Sequence, residues 1–360
     1  MALKVLLLGD FSGVHKNLAE GLRNLGVDAV DASYGNAWRQ LGSTIDFEKN
    51  IAGLPNIVSR NISPFINYER LTNNDVVQFI HYTNFNPRFG INRLLSAKIA
   101  RSNGKAFLVS TGCDSRTRAF FKDEYTFSDI CKECLRSDQK STSCEFDSLN
   151  AKNDEDEFLR LIDGVIPFTY EYAESYRRAG ELKLMKTIPM PMNTDRVEYA
   201  ENIVSGKIVF FHGLNRIGFK GTDLIRTAME NVRRRFPNDI EVVIEGKMSL
   251  TDYLKLLQRT NVVVDQTYGI TYGMNAVYSM ALGKVVMGGG HPPGLHEYGV
   301  ATCPVIPILP NLRSIEEGIE RIIERRNEIR DIGLQSRQYV ERVHHYELVA
   351  RQFLAAWASR

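Results

Sequence analysis

The chain alternates short apolar runs with segments of helical periodicity over most of its length. In the first half, the strand-like runs are KVLLLGD, VDAVDAS, NDVVQFIHY and KAFLVSTG. Between them, KNLAEGLRNLG and INRLLSAKIARSNG place apolar residues three and four positions apart, which predicts amphipathic helices. Gly26 is typical of a residue that ends a helix. This alternation predicts a parallel sheet with helices on both faces.

A second series of the same kind follows the two prolines of IPMPM. Its strand-like runs are GKIVFFHG, DIEVVIEG, NVVVDQ and KVVMGGG, and its helical segments include TDLIRTAMENVRRRF and TDYLKLLQRT. The chain is also long for a single core. We therefore predict an α/β protein of two doubly wound domains, residues 1–195 and 196–335, with an irregular cysteine-rich insertion at 113–150.

The C-terminal part predicts two further features. In SIEEGIERIIERRNEIRDIG, Ser314 and Glu317 have capping-box spacing, which predicts a helix start at that point. The last segment, YELVARQFLAAWASR, has a large apolar face that needs a partner surface. We expect residues 336–360 to cross back and pack on the first domain.

Composition and charge exclude several classes of protein. Of 360 residues, 43% are hydrophobic and 24% are charged, and the net charge is +2, so nothing favours a nucleic-acid partner. The N-terminal run MALKVLLLGDFSG is too short for the apolar region of a secretion signal, and no run of about twenty apolar residues occurs. We expect a cytosolic protein, with peripheral association at the inner membrane face left open and the oligomeric state undetermined.

Four of the five cysteines lie within 32 residues, whereas Cys303 stands alone. Two of the four form a C-x2-C pair, whose thiolates can reach one ion, and two more would complete a tetrahedral site. The spacing predicts a structural zinc site with free thiols or a redox pair as alternatives. Four thiolates leave no open position for water, so this zinc would not be catalytic. The predicted ligands are Cys113, Cys131, Cys134 and Cys144.

Loops after strands are the places to search for chemistry, because ligands of doubly wound sheets bind beyond the carboxyl ends of the strands. The loop GDFSGVHKN has Gly9 and Gly13 but lacks the G-x-G-x-x-G spacing, so a plain tight turn is as good an interpretation as dinucleotide binding. The loop FHGLNRIGFKGTDL places Arg216 and Lys220 before a helix, which suits a diphosphate. Two solvated surface charges are the alternative.

Four pieces of the sequence together resemble the GT-B glycosyltransferases, in particular the family-4-like retaining enzymes: HGLNRIGFKGTDLIRTAM, DIEVVIEG, NVVVDQTYGITYGMNAVYSMALGKVV and TIPMPMNTD. The resemblance covers nearly all of the second domain and, more loosely, the first. It implies two Rossmann-like domains facing a cleft, with the C-terminal helix returning to the first. It also implies retaining transfer of a sugar from a nucleotide diphosphate donor to a glycan, a lipid-linked saccharide or a small molecule, without a catalytic metal.

Specific residues acquire roles from this resemblance. Arg216 and Lys220 would hold the donor diphosphate and neutralise the leaving group, and His81 would contact the sugar. A lone histidine at a strand end is otherwise more often structural. The other implied donor contacts are in the glycine loop of the first domain and the start of the helix in MNAVYSMALGK: Gly13, Gly273, Met274 and Asn275.

The sequence departs from the family at two positions. The family has two glutamates at E-x7-E spacing, the first facing the transferred sugar and the second binding the ribose, and here Ile270 and Tyr278 occupy these positions. Tyr278 could still hydrogen-bond a ribose, and Asp265 or Gln266 could take over polar contacts with the sugar. The loss of both glutamates keeps open a nucleotide-sugar-binding protein without turnover. A nucleotide-sugar 2-epimerase is a further alternative.

The segment TGCDSR follows a strand at the expected cleft edge. Asp114 and Arg116 are therefore candidate contacts for the acceptor. The alternative is that these two side chains simply pair with each other.

Overall fold

Two parallel sheets form the centre of the protein, of which the computed structural model describes residues 2–34, 42–49, 51, 54–86, 90–246 and 248–360. The strands of the first sheet are β1 (Lys4–Leu8), β2 (Asp28–Ser33), β3 (Ile45–Asp46), β4 (Val76–Phe79), β5 (Lys105–Ser110) and β6 (Gly164–Pro167). The strands of the second are β7 (Ile208–Gly213), β8 (Ile240–Glu245), β9 (Val262–Val264), β10 (Val285–Gly288) and β11 (Ile306–Pro307).

Helices flank both sheets. Those of the first domain are α1 (Val14–Asn24), α2 (Asn56–Ile66), α3 (Ile91–Arg101), α4 (Ser115–Asp123), α5 (Ile130–Glu133), α6 (Leu149–Leu161) and α7 (Tyr170–Arg178). The remaining helices are α8 (Ile217–Lys220), α9 (Thr222–Arg235), α10 (Leu250–Arg259), α11 (Met274–Ala281), α12 (Pro292–Glu297), α13 (Leu312–Glu324), α14 (Ile329–Val343) and α15 (Tyr346–Ala358). Within the described ranges, none of these helices has both the length and the hydropathy needed to cross a membrane.

The order of the strands places a switch point in each sheet. The first sheet runs β3-β2-β1-β4-β5-β6, and the second runs β11-β10-β9-β7-β8. Strand β1 pairs in parallel with β2 on one side and β4 on the other. Strand β7 does the same with β8 and β9. Connections leave such neighbouring strands in opposite directions and open a crevice at their carboxyl ends, where ligands of this fold class bind.

Helix α15 packs on α1 of the first domain, as the sequence predicts. The two backbones come very close, because a Cβ added at Gly21 would lie 2.5 Å from the carbonyl oxygen of Tyr346. Trp357 is 2% exposed, and its indole N–H donates to Gln78 Oε1 at 3.1 Å. The preceding helix, α14, packs instead on α11 of the second domain. The chain therefore returns to the first domain between α14 and α15, whereas the predicted boundary at 336 lies inside α14.

The predicted N-cap at Ser314 is wrong by three residues. Helix α13 begins at Leu312, and Asn311 is its N-cap, since its side chain accepts from the backbone N–H of Ser314 at 2.9 Å. The Ser314 hydroxyl instead accepts from the backbone N–H of Leu309 at 2.9 Å. Asn and Ser are both strong N-cap residues, and the local chain path selected the earlier one.

Candidate functional site

Three adjoining cavities meet at the cleft, of which two are lined from both domains and the third by the first domain alone. The central cavity has a volume of about 540 Å³ and is lined from both domains. The small cavity, of about 240 Å³, shares Ser12 and Met274 with the central cavity. The outer cavity, of about 1030 Å³, lies between α3 and α6 and shares His81 and Phe146 with the central cavity. A ligand of several connected groups could therefore extend through all three.

Arg216 brings a positive charge to the wall of the central cavity. It lies between β7 and α8 in the left-handed region, with a φ of 50°, and its guanidinium stacks 3.6 Å from the ring centre of Phe219. Among the described residues, no carboxylate forms an ion pair with it. A guanidinium at a cavity wall without an ion-pair partner is suited to bind a phosphate group.

Lys220 lies behind the cavity wall and does not line the central cavity. It is 7% exposed, and its ammonium is 3.0 Å from Asp265 Oδ1. Asp265 is 1% exposed and also accepts from Asn275 Nδ2 at 3.0 Å. These three predicted site residues thus form one buried network, which connects the α8 loop to the start of α11.

The start of α11 faces the central cavity. Gly273 is its N-cap, and Gly273, Met274 and Gln266 all line the cavity. A Cβ added at Gly273 would meet no heavy atom within 4 Å, so the space beside the helix start is open. Backbone N–H groups at a helix start attract anions, and this one opens into the same cavity as Arg216.

The small cavity contains the position of the second missing glutamate. Tyr278 lines it together with Gly13, Lys16 and Tyr253. Gly13 is the N-cap of α1, with a φ of 81°. The structure thus places Gly13 and Tyr278 in the same cavity. Arg216 lines the central cavity instead, and Met274 lines both.

His81 stands between the central and outer cavities, with both ring nitrogens already bonded to the backbone. Nδ1 accepts from the N–H of Thr83 at 3.1 Å, so the proton resides on Nε2, which donates to the Cys113 carbonyl at 3.0 Å. Burial lowers the pKa of His81 and favours the neutral ring. In this arrangement His81 can contact a ligand through the face of its ring.

Asp114 and Arg116 are engaged inside the first domain, and not with each other. Asp114 is 3% exposed, caps α4 by accepting from Thr117 N at 2.7 Å, and accepts from the Tyr176 hydroxyl at 2.8 Å. Arg116 binds Glu155 at 2.8 Å and Asp156 at 2.9 Å. Neither lines the central or the outer cavity.

The four clustered cysteines approach one another at the edge of the central cavity, which Cys113, Cys134 and Cys144 line. The pKa of the Cys113 thiol is raised to about 12, mainly by burial; Arg216 opposes this rise, and the nearby Cys131 and Cys134 contribute to it. Cys131 and Cys134 in turn both lie near enough to Cys144 to interact with it electrostatically. All five cysteines are free thiols, and no three His, Cys, Asp or Glu side chains of the described ranges have metal-binding geometry as they stand.

The cysteine-rich insertion binds directly to the loop that carries Arg216. Asp138 of the insertion accepts from the backbone N–H groups of Gly218 at 3.0 Å and Phe219 at 2.9 Å. A Cβ added at Gly218 would lie 2.1 Å from the carbonyl oxygen of Glu133, so only glycine permits this approach. The insertion of the first domain therefore crosses the cleft and fixes the position of α8.

Glu171 is a cavity residue that the sequence reasoning missed. It lies in the first turn of α7, is 5% exposed and lines the central cavity. Its Oε1 accepts from the backbone N–H of Thr271, in the other domain, at 2.9 Å. The segment TYEYAES follows β6 at the same sheet edge as the other candidate loops, and that position was the available signal.

Comparisons with known proteins identify the fold. No family model matches the sequence, and no curated protein sequence matches it significantly.

Sucrose-phosphate synthase from Thermosynechococcus elongatus is similar in structure, with a TM-score of 0.62 at 14% identity over 99% of this chain and 98% of that chain. Anabaena HepE in complex with UDP-glucose has a TM-score of 0.59 at 12% identity over 99% of this chain and 100% of that chain. A glycosyltransferase from Rickettsia africae has a TM-score of 0.58 at 12% identity, covering 99% and 98% of the two chains. The chain has the GT-B fold.

Proposed function

We propose that the protein is a glycosyltransferase that moves a sugar from a nucleotide diphosphate donor to a hydroxyl acceptor. The observation that carries the proposal is the unpaired guanidinium of Arg216, which shares the central cavity with the start of α11. The central cavity lies at the carboxyl ends of parallel strands from both sheets, where phosphate ligands of such folds bind. Both groups favour negative charge at one place, as a departing nucleotide diphosphate requires.

The donor would extend from the central into the small cavity. Its diphosphate would lie between Arg216 and Gly273, and the nucleoside would occupy the small cavity, where Tyr278 could hydrogen-bond the ribose through its hydroxyl. The network of Lys220, Asp265 and Asn275 would fix the position of the α8 loop relative to the start of α11. Gln266 would face the sugar, although its Nε2 already donates to the Thr271 carbonyl at 2.7 Å.

The acceptor would enter through the outer cavity. This cavity is larger than the central one, and His81 and Phe146 stand where the two meet. Its walls carry both arginines and carboxylates, including Arg93, Arg101, Asp154 and Glu157, so it offers hydrogen-bond donors and acceptors to a polyhydroxylated molecule. Asp114 and Arg116 were the predicted acceptor contacts, but their side chains are held elsewhere. The outer cavity takes their place in this proposal. We include retention of the anomeric configuration of the sugar in the proposal because the sequence resembles retaining enzymes.

Two alternatives depend on the missing glutamates. A nucleotide-sugar-binding protein without turnover would use the same phosphate contacts, because these do not involve position 270. A 2-epimerase needs both an acid and a base group at the sugar, whereas Glu171 is one such group in the central cavity and His81 is neutral with both ring nitrogens bonded to backbone. The transferase is therefore favoured over the epimerase.

The donor site is tested by thermal unfolding with UDP, GDP, ADP, CDP and TDP in turn. A ligand that binds only the folded state raises the melting temperature, and we expect at least one of the five to do so. Inorganic sulfate at the same ionic strength controls for nonspecific anion effects. If none of the nucleotides shifts the melting temperature beyond sulfate, the proposed donor site does not exist.

We also propose that the cysteine cluster holds a structural zinc ion. The four thiols approach one another, and Arg118 and Arg216 lie close enough to offset the excess negative charge of four thiolates. The side chains would have to move to complete the tetrahedron, because no three of them have metal-binding geometry within the described ranges. Zinc would hold the insertion in the shape that binds α8, since the insertion between α4 and α6 is mostly polar.

Metal analysis of the purified protein is expected to find about one zinc per chain. Replacing both cysteines of the C-x2-C pair, Cys131→Ser and Cys134→Ser, should remove the zinc and lower the melting temperature, because metal binding contributes to folding. Cys303→Ser, outside the cluster, is the matched control and should keep the zinc. Less than about half an equivalent of zinc in the parent, with all four clustered thiols reactive in the folded state, would contradict the proposal.

A further inference from the structure

Ile270 does not face the central cavity. It is 9% exposed and belongs to an apolar cluster with Tyr125, Phe121 and Tyr268, which joins the insertion to the second domain. Its backbone N–H donates to the Tyr125 hydroxyl at 3.1 Å. The position that carries a sugar-facing carboxylate in the family resemblance therefore contributes packing here, and its side chain offers no polar group.

A carboxylate reaches the neighbouring backbone from the opposite domain. The N–H of Thr271, one residue after Ile270, donates to Glu171 Oε1. Glu171 and Thr271 both line the central cavity, as does Arg216. A carboxylate is thus present beside the loop that carries Ile270. It comes from α7 of the first domain and not from position 270.

The surroundings of Glu171 permit it to act on a ligand. Burial raises the pKa of Glu171, whereas the hydrogen bond from the Thr271 N–H favours the ionised form. The hydroxyls of Thr169 and Thr271 are buried and have no hydrogen-bond partner among the described residues. A carboxylate can accept about four hydrogen bonds on two oxygens. In a poorly hydrated cavity, such bonds to a charged acceptor are stronger than bonds between neutral groups.

We propose that Glu171 binds the hydroxyl groups of the transferred sugar and supplies the carboxylate that Ile270 cannot. This inference rests on the proposed function. It has a structural consequence: the sugar site is complete only when the two domains are apposed, because the diphosphate contacts lie in the second domain and Glu171 in the first. A role limited to tying α7 to the Thr271 loop is the competing explanation.

The two explanations differ in what Glu171→Gln should do. Glutamine keeps the size of the side chain and an oxygen that can accept from Thr271 N–H, so the connection between the domains survives. What it removes is the charge. Glu174→Gln is the matched control on the same helix, because Glu174 binds Arg178 at 2.7 Å and does not line the central cavity.

The test is calorimetric titration of parent, Glu171→Gln and Glu174→Gln with UDP, GDP and ADP and with the glucose conjugate of each. For the base that binds the parent, we expect Glu171→Gln to bind the free diphosphate within about twofold of the parent. The conjugate should bind about ten- to a hundredfold more weakly, the effect of losing hydrogen bonds to a charged group. The control should match the parent with both ligands. Glu171→Asp keeps the negative charge but moves it back from the cavity, because the side chain is shorter. This variant should also bind only the conjugate more weakly.

Two results would overturn the inference without affecting the proposed function. One is unchanged affinity for the conjugate in Glu171→Gln and Glu171→Asp. The other is an equal loss of affinity for conjugate and free diphosphate, which is what a purely structural connection between the domains predicts. Failure of the parent to bind any of the six ligands, together with no rise of its melting temperature with CDP or TDP, would instead reject the donor site, and the role of Glu171 with it.

Discussion

Replacing Arg216 with alanine is expected to lower the rate of sugar transfer by about 10²–10³-fold, the usual effect of removing one preorganised group that stabilises developing charge. The guanidinium is the cationic group that lines the central cavity beside the start of α11. Without it, the negative charge of the departing diphosphate would be offset mainly by backbone N–H groups and by the more distant Lys220. Because this charge is greatest in the transition state, kcat should fall more than the affinity for the donor.

Two further variants make the Arg216 result specific. Arg216→Lys keeps a positive charge but loses the planar fork and its stacking on Phe219, so an intermediate rate is expected. Arg233→Ala removes an exposed arginine that pairs with Glu230 on α9, and the rate should stay within about twofold of the parent. A transfer rate for Arg216→Ala equal to that of Arg233→Ala would show that Arg216 does not stabilise the leaving group.

Lys220→Met is expected to lower the free energy of unfolding by about 3–5 kcal/mol, the usual effect of removing one partner from a buried ion pair. Lys220 and Asp265 lie 3.0 Å apart, and both are almost fully buried. Methionine fills the space of the lysine stem, so the change leaves Asp265 as a buried charge whose remaining partner is Asn275. Urea-induced unfolding measures this effect directly.

The double variant Lys220→Met/Asp265→Leu separates stability from function. Replacing both charges with apolar groups removes the unpaired carboxylate, so much of the lost stability should return. Transfer activity should stay low, because neither side chain could then hold the α8 loop against α11. Equal stability of the single variant and the parent would mean that the ion pair is not formed in solution. Full activity in the double variant would exclude a role for the pair in the donor site.

The general layout could be predicted from the sequence because it follows from local patterns. Alternating apolar runs and amphipathic segments give two parallel sheets, and the carboxyl ends of their strands lie on the cleft. The loop after a strand indicates Arg216 for this reason, the family resemblance adds Gly273, and the structure brings the two to one cavity. The apolar face of the last helix likewise predicted its packing on the first domain, because a face of that size is not stable in water.

Contacts between segments distant in sequence could not be predicted. Lys220 and Asp265 were each expected to meet the donor, but they are 45 residues apart and bind each other. Asp114 was expected to face the acceptor, whereas it caps its own helix and accepts a hydrogen bond from the hydroxyl of Tyr176, 62 residues away. In each case the nearest partner of a polar group is set by tertiary packing, which residue spacing does not encode.

The same limitation explains why the absence of two glutamates was the strongest anomaly in the sequence. A family pattern places a function at a sequence position, whereas a binding site needs only a chemical group at a point in space. Glu171 lies 100 positions from Thr271 and hydrogen-bonds to it. The loss of a carboxylate at Ile270 is therefore insufficient evidence for loss of turnover.

The most direct test of the proposed function is the release of nucleotide diphosphate from UDP-glucose, GDP-glucose or ADP-glucose by the parent and by Arg216→Ala. Many hydroxyl compounds can be offered as acceptors, but water also accepts slowly, so no knowledge of the true acceptor is needed. We predict measurable release by the parent with one of the three donors and release at least about a hundredfold slower by Arg216→Ala. No release by the parent from any donor that it binds would contradict sugar transfer and leave a nucleotide-sugar-binding protein.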